Sequence, residues 1–275
     1  MKRVLSVVAL SACLTLSASA NAPEAGTPAV QQTKQQSGNV INLAGKQRML
    51  TQKMSKEALF VAKGIDADAN KANLAKTVAL FDKTLKGLID GDESLGLPKT
   101  TNPDILKQLN VVSELWTPFK ASIEKGDLEA INKQNLPLLK NMNKAVQMYA
   151  QASGAKLDPE MAQTINLAGK QRMLTQKMTK ELLLAANGID ADANKANAKK
   201  TFELFKTTLA DLTAKAKDEN IKGQLGVVKG LMDEYQPIVE GGELSDAALK
   251  KAETLNMKLL KESNKAVKMY EASIK

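Results

Sequence analysis

Fourteen consecutive residues occur twice in this chain: Ile41 to Met54 reads INLAGKQRMLTQKM, and Ile165 to Met178 repeats it 124 positions later. The likeness continues through GIDADANKAN, from Gly64 and again from Gly188. It sets Trp116-Thr117-Pro118 against Tyr235-Gln236-Pro237 and ends in NKAVQMY from Asn143 against NKAVKMY from Asn264. Such a repeat predicts two copies of one domain, each of roughly 115 residues and large enough for its own core. The polar residues of the block, Asn42, Lys46, Gln47, Arg48, Thr51, Gln52 and Lys53, are the same in both copies, although helix positions elsewhere have drifted.

Abundant Ala, Leu, Lys, Glu and Gln, few aromatics and an apolar spacing of three and four residues favour helix over strand. Four helices are expected per copy, at about 35–63, 66–90, 103–125 and 127–152, then 159–187, 190–217, 219–240 and 244–273. Gly64 and Gly188 suit the position after the first helix, and Asp66 and Asp190 the N-cap of the second. Short connections force antiparallel neighbours, so the expected fold is all-α: two tandem up-down-up-down four-helix bundles, spanning 35–153 and 159–275. The stretch Gly91 to Pro103 is the longest expected loop.

Lys2 and Arg3, the apolar run Val4 to Leu16 and the small residues Ala18-Ser19-Ala20 read as a signal peptide over 1–20, which sends the mature chain to the periplasm. A second reading takes Leu10-Ser11-Ala12-Cys13 as a lipoprotein site that anchors the chain at Cys13. Residues 21–34, rich in Ala, Pro, Gln and Thr, read as a disordered leader. No later segment approaches the roughly 18 apolar residues that span a bilayer, so a message has to be handed to another protein.

The chain has no His, and its one Cys, Cys13, lies in the signal peptide, which removes thiol nucleophiles, imidazole bases, disulfides and ordinary zinc or haem sites from the mature protein. No pair of acids recurs in both copies in a catalytic arrangement, so neither an enzyme nor a cofactor is expected. Asp66, Asp68 and Asn70 take the first, third and fifth places of a calcium loop. Lys71 stands where that loop needs Gly, however, and Thr77 where it needs Glu, so helix capping explains the stretch better.

On a helical wheel the repeated block shows three faces. Leu43, Leu50, Met54 and Val61, with Gln47 and Ala58 at the edge, face the core of their own bundle, and Lys46, Lys53 and Glu57 lie opposite, in solvent. The third face carries Ile41, Ala44, Arg48, Thr51, Ser55, Leu59 and Ala62, matched by Ile165, Ala168, Arg172, Thr175, Thr179, Leu183 and Ala186. A small apolar face outside the core needs a partner, and its own duplicate is the obvious one. The short link from Ser153 to Pro159 can set copy two alongside copy one in parallel, giving a pseudo-twofold interface through the first helices.

Arg48 and Arg172 then face each other across the axis. Two guanidiniums about 5 Å apart repel by roughly 3 kcal/mol at an effective dielectric near 20, and neither escapes by losing its proton. A small planar oxyanion between them reverses the sign, with Thr51, Gln52, Thr175, Gln176 or backbone near Gly45 and Gly169 completing its shell. The mid-helix glycines support this, because each costs up to about 1 kcal/mol against Ala and makes sense where a backbone or ligand comes close.

The block resembles the first-helix signature of the PilJ-type domain, the periplasmic N-terminal module of type IV pilus methyl-accepting chemotaxis transducers, related to the sensor module of nitrate/nitrite histidine kinases. The resemblance covers both copies and is strongest over Asn42 to Lys53. It implies a helical bundle that works as a dimer, with nitrate or nitrite held at the symmetric interface by the motif's Arg, here Arg48 and Arg172. The fused tandem then mimics a dimer. The membrane anchor and cytoplasmic signalling region of those receptors do not follow in this chain, so the expected partner is a separate membrane receptor or histidine kinase.

Three function classes remain: a periplasmic binding or sensor protein for a small oxyanion, an interaction module of a pilus or chemoreceptor assembly, and recognition of anionic surfaces. The net charge of +9 is spread among acids rather than clustered, and the compartment disfavours nucleic acid.

Overall fold

A computed structural model describes residues 33–275; the signal-peptide and lipoprotein readings, and most of the leader, lie outside them. The eight α-helices among these residues are α1 Lys34–Lys63, α2 Ala67–Asp90, α3 Pro103–Lys125, α4 Leu128–Ala152, α5 Pro159–Ala186, α6 Ala191–Lys215, α7 Glu219–Gly241 and α8 Asp246–Ala272. Helix α1 starts one residue early, at the end of the expected leader. Thr33 and Gln36 form a reciprocal capping box there, which satisfies two backbone donors that would otherwise be orphaned.

Gly64 ends α1 in the left-handed region at φ 73° and Gly188 follows α5 at φ 77°. Asp66 and Asp190 do occupy the N-cap positions of α2 and α6, but they make no capping bond and are themselves left-handed. The turn is closed by Asn70, whose amide donates to the carbonyls of Ile65 and Asp66, and by Asn194, which donates to Ile189. The long connection between α2 and α3 is partly ordered, with a 3-10 turn at Glu93–Leu95 and an antiparallel bridge between Asp92 and Leu97.

Within copy one, α1 packs on α2 and α4, and α3 closes the bundle against α2 and α4; α5 to α8 repeat this. The largest interface between any two helices joins α1 to α5. This seam runs parallel and in register, since Arg48 reaches the Asn166 carbonyl while Arg172 reaches that of Asn42, the matching position. The fold is therefore two four-helix bundles joined as a pseudo-twofold dimer through their first helices. One apolar core runs unbroken from Leu50 and Phe81 in copy one to Leu174 and Phe205 in copy two. A small second cluster, with Leu59 and Phe60 meeting Leu183 and Leu184, closes one end.

The buried positions of α3 and α7 register the copies differently from the Trp-Thr-Pro and Tyr-Gln-Pro triplets. Leu109, Val112, Trp116 and Phe119 of α3 correspond to Leu225, Val228, Met232 and Tyr235 of α7. Gln108 and Gln224 confirm this register, each donating to a backbone carbonyl of the fourth helix of its copy. Copy two has a shorter connection before its third helix and a longer one after it, and the triplets do not fall on equivalent buried positions.

Because it has own-copy neighbours on two sides and the other copy on a third, α1 is buried almost all round. That corrects the expected solvent face. Glu57 is buried and paired with Lys53, which also donates to Thr77 at 2.8 Å, and Lys46 is half-buried. At the far end the reverse holds: Val61 is half-buried and Ala62 exposed.

Candidate functional site

Arg48 and Arg172 are the two largest fully buried side chains of the described residues, each 1 % exposed, and they meet on the α1–α5 seam. Each is held in the same way. Arg48 Nη1 donates to Asn143 Oδ1 of α4 at 2.7 Å and Nη2 to the Asn166 carbonyl of α5 at 3.1 Å. Arg172 Nη1 donates to Asn264 Oδ1 of α8 at 2.9 Å and Nη2 to the Asn42 carbonyl of α1 at 3.1 Å. Both Nε atoms are buried without a protein partner, and neither guanidinium has a carboxylate within 4.0 Å among the described residues.

Gly45 and Gly169 line the space where the guanidiniums converge. A methyl group on Gly45 would sit 3.4 Å from Arg48 Nη2 and 3.7 Å from Arg172 Nη2; on Gly169 the distances are 3.4 Å to Arg172 Nη2 and 3.6 Å to Arg48 Nη2. The two Nη2 atoms are thus no more than about 7 Å apart. At that separation and an effective dielectric near 20 they repel by roughly 2 kcal/mol. The glycines are not needed for close backbone packing, because an added Cβ meets only guanidinium nitrogens, at ordinary contact distance. What they leave open is room at the arginines.

Electrostatically the seam is cationic. Burial, and then the facing Arg172, push the Arg48 guanidinium down to about 9, and burial pushes Arg172 down to about 10 with Glu271 acting against it; both stay protonated at neutral pH. Burial and Arg172 also lower the Lys46 ammonium, and burial and Arg48 lower Lys170. A cleft of about 350 Å³ between α4, α5 and α6 leads to Arg48 past Gln147, Thr164 and Lys170. On the opposite side the Asn42 amide is tied to Glu271 at 2.7 Å, whereas the position matching Glu271 in copy one is Ala150.

Thr51, Thr175, Gln52 and Gln176 do not join this shell, a correction to the expected site. Helical geometry turns them to a second polar layer farther along the seam. Thr51 and Thr175 donate to carbonyls of their own helices, Arg48 and Gln171. Gln52 donates to Asn135 Oδ1 and Gln176 to Asn256 Oδ1. Asn135 donates back to the Thr51 carbonyl and Ser55, and Asn256 to the Thr175 carbonyl and Thr179. Each of these asparagines also receives a buried lysine from the other copy: Lys180 reaches Asn135 at 3.0 Å and Lys56 reaches Asn256 at 3.1 Å.

Sequence reasoning missed Asn143, Asn264, Lys56 and Lys180. The two asparagines open the repeated NKAV motif, which was a usable signal. The lysines lie just past the identical block, in Ser55-Lys56-Glu57 and Thr179-Lys180-Glu181, and nothing in one sequence marks such a lysine as buried.

Comparison with known proteins places this architecture. The sequence profile of PilJ, described as type IV pili methyl-accepting chemotaxis transducer N-term, matches residues 29–147 and 159–258. The methyl-accepting chemotaxis protein McpN of Pseudomonas aeruginosa is 31% identical over 121 residues, covering 42% of this chain and 22% of that protein. The match thus spans about a fifth of the relative's length. No solved structure matches. With both bundles covered by the profile, the chain belongs to the PilJ family, as a tandem of two PilJ domains.

Proposed function

We propose that this chain is a periplasmic ligand-binding or sensor protein that holds one small planar oxyanion, nitrate or nitrite, between Arg48 and Arg172 and passes the signal to a separate membrane-bound receptor or histidine kinase. One observation carries the reading: two buried, protonated guanidiniums face each other with no carboxylate within 4.0 Å among the described residues, beside two glycines that leave room at them. Burying like charges together is costly unless something of opposite sign is shared between them. A trigonal anion offers in-plane oxygens to the free Nε–H and Nη–H donors on both sides, and its own pseudo-symmetry matches the seam.

Two further observations support it. Lys46 and Lys170 add positive potential at the flanks, and the cleft reaching Arg48 provides a route in. The family description and the relative, a chemotaxis protein, support the partner; no helix among the described residues is long and apolar enough to cross a membrane.

Thermal unfolding with nitrate, nitrite, chloride and sulfate at constant ionic strength tests the proposal. Nitrate or nitrite should raise the melting temperature with increasing concentration, as mass action requires of a ligand that binds only the folded state. If every oxyanion behaves like chloride, while the protein co-purifies with a chemoreceptor or pilus component, the interaction-module alternative replaces it.

A further inference from the structure

A second cleft, of about 390 Å³, opens between α1 and α2 of copy one and α8 of copy two; one end reaches Lys46 and Asn264 beside Arg172, and the other reaches Lys56, Glu57 and Glu253. Lys56 and Glu57 stand in its wall, 3 % and 2 % exposed. Lys56 Nζ has three protons to donate, and its one side-chain acceptor is Asn256 at 3.1 Å, with no carboxylate within 4.0 Å among the described residues. Glu57 gives Oε1 to Lys53, and its Oε2 is buried with no donor. The cleft thus presents an underused buried cation and an unpartnered buried anionic oxygen. Glu253 adds a half-buried carboxylate, and Met49 and Met257 form an apolar wall.

The pseudo-equivalent groove of the other copy differs at these points. Glu181 Oε2, the counterpart of Glu57 Oε2, accepts a hydrogen bond from Thr201 at 2.7 Å. Asn132 takes the place of Glu253. Lys56 and Lys180 are held alike, each by one asparagine, but the unpartnered carboxylate oxygen and the extra carboxylate of Glu253 belong to one groove only, which sets a single asymmetric site against the symmetric arginine seam.

We propose that this cleft is a second ligand site, for a zwitterionic amino acid with an apolar side chain. A ligand that completes both open groups must carry an acceptor anion and a donor cation in one small molecule. Its carboxylate would rest on Lys56 Nζ, its ammonium between Glu57 Oε2 and Glu253, and its side chain on Met49 and Met257. Buried polar groups strongly prefer such partners to none, and charge-assisted hydrogen bonds are the strong ones. An apolar wall with a few convergent polar groups is the usual make-up of a small-molecule site.

The test screens the common amino acids singly against the full chain by thermal shift, followed by calorimetry on any that bind. At least one apolar amino acid should bind, and its N-acetyl and carboxamide forms should bind at least about tenfold more weakly, the cost of one lost charge-assisted bond. Lys56→Gln and the milder Glu253→Gln should each lose at least about tenfold in affinity. Lys180→Gln, which does the same structural damage in the other groove, should retain it. Three results overturn the proposal: no amino acid binds, the N-acetyl form binds as well as the parent, or Lys180→Gln loses as much affinity as Lys56→Gln. Nitrate titrations read the arginine pair, so the two proposals fail separately.

Discussion

The α1–α5 seam carries two polar layers, and both bury a pair of cations, one from each copy, with opposite treatment. In the lysine layer Asn135 and Asn256 each take a lysine from the other copy and a glutamine from their own, and anchor both to the backbone of the first helix. In the arginine layer Asn143 and Asn264 hold one nitrogen of each guanidinium, but Nε is left bare and two glycines keep the centre open. The first layer fastens the copies together; the second leaves both Nε–H groups unpaired beside two glycines. The difference lies in what each asparagine joins: in the lysine layer it bridges the two copies, and in the arginine layer it holds a guanidinium of its own copy while Nε stays unpaired.

That contrast can be broken by substitution. The largest effect is expected in the lysine layer: Asn256→Ala leaves Lys56, Gln176 and the Thr175 carbonyl without their shared partner, and should destabilise the fold by about 3 kcal/mol or more in urea unfolding. The arginine layer should respond in the other direction. Arg48→Met with Arg172→Met removes two repelling buried charges at nearly constant volume, so in oxyanion-free buffer stability should hold or rise by about 1–4 kcal/mol while the response to nitrate disappears. A fall comparable to that of Asn256→Ala would make the arginines structural.

Gly45→Ala and Gly169→Ala sharpen the point, because the two readings predict different signs. Alanine favours helix by up to about 1 kcal/mol per site and meets no steric clash, so stability should rise slightly. Oxyanion affinity should fall at least about tenfold as the methyl groups take the open space. Glycines serving only close packing would instead give a loss of stability.

The gentlest probe is pH. Burial lowers the Lys56 and Lys180 ammoniums to about 8, below the ordinary value near 10.5. Between those limits the unfolded chain binds more protons than the folded one, so stability should rise from about pH 7.5 toward pH 10. In Lys56→Met with Lys180→Met the rise should flatten. Urea midpoints across that range measure it.

Much of the fold was legible because local signals agreed: caps, glycines and short links locate the helices to within a few residues, and the identical block with its small third face points to the seam. The meeting of Arg48 and Arg172 on the seam was legible for the same reason, since the same Arg recurs on the small apolar face of both first helices. What escaped depends on partners far away in sequence. Gln52 lies at a site-like spacing from Arg48, yet it turns to Asn135, and that choice is made by the packing of α4. Glu57 reads as a solvent residue on one helix and is covered only once α2 and the second copy arrive. The match of Trp116 with Met232 by buried position is hidden by the connection before the third helix, which is much shorter in copy two.

The most direct test of the shared anion is the stoichiometry of nitrate or nitrite binding by calorimetry, on the full chain and on Arg48→Gln and Arg172→Gln separately. One anion per chain, abolished by either substitution alone, is the predicted result. Two anions per chain, or a titration unchanged by removal of one arginine, would contradict it.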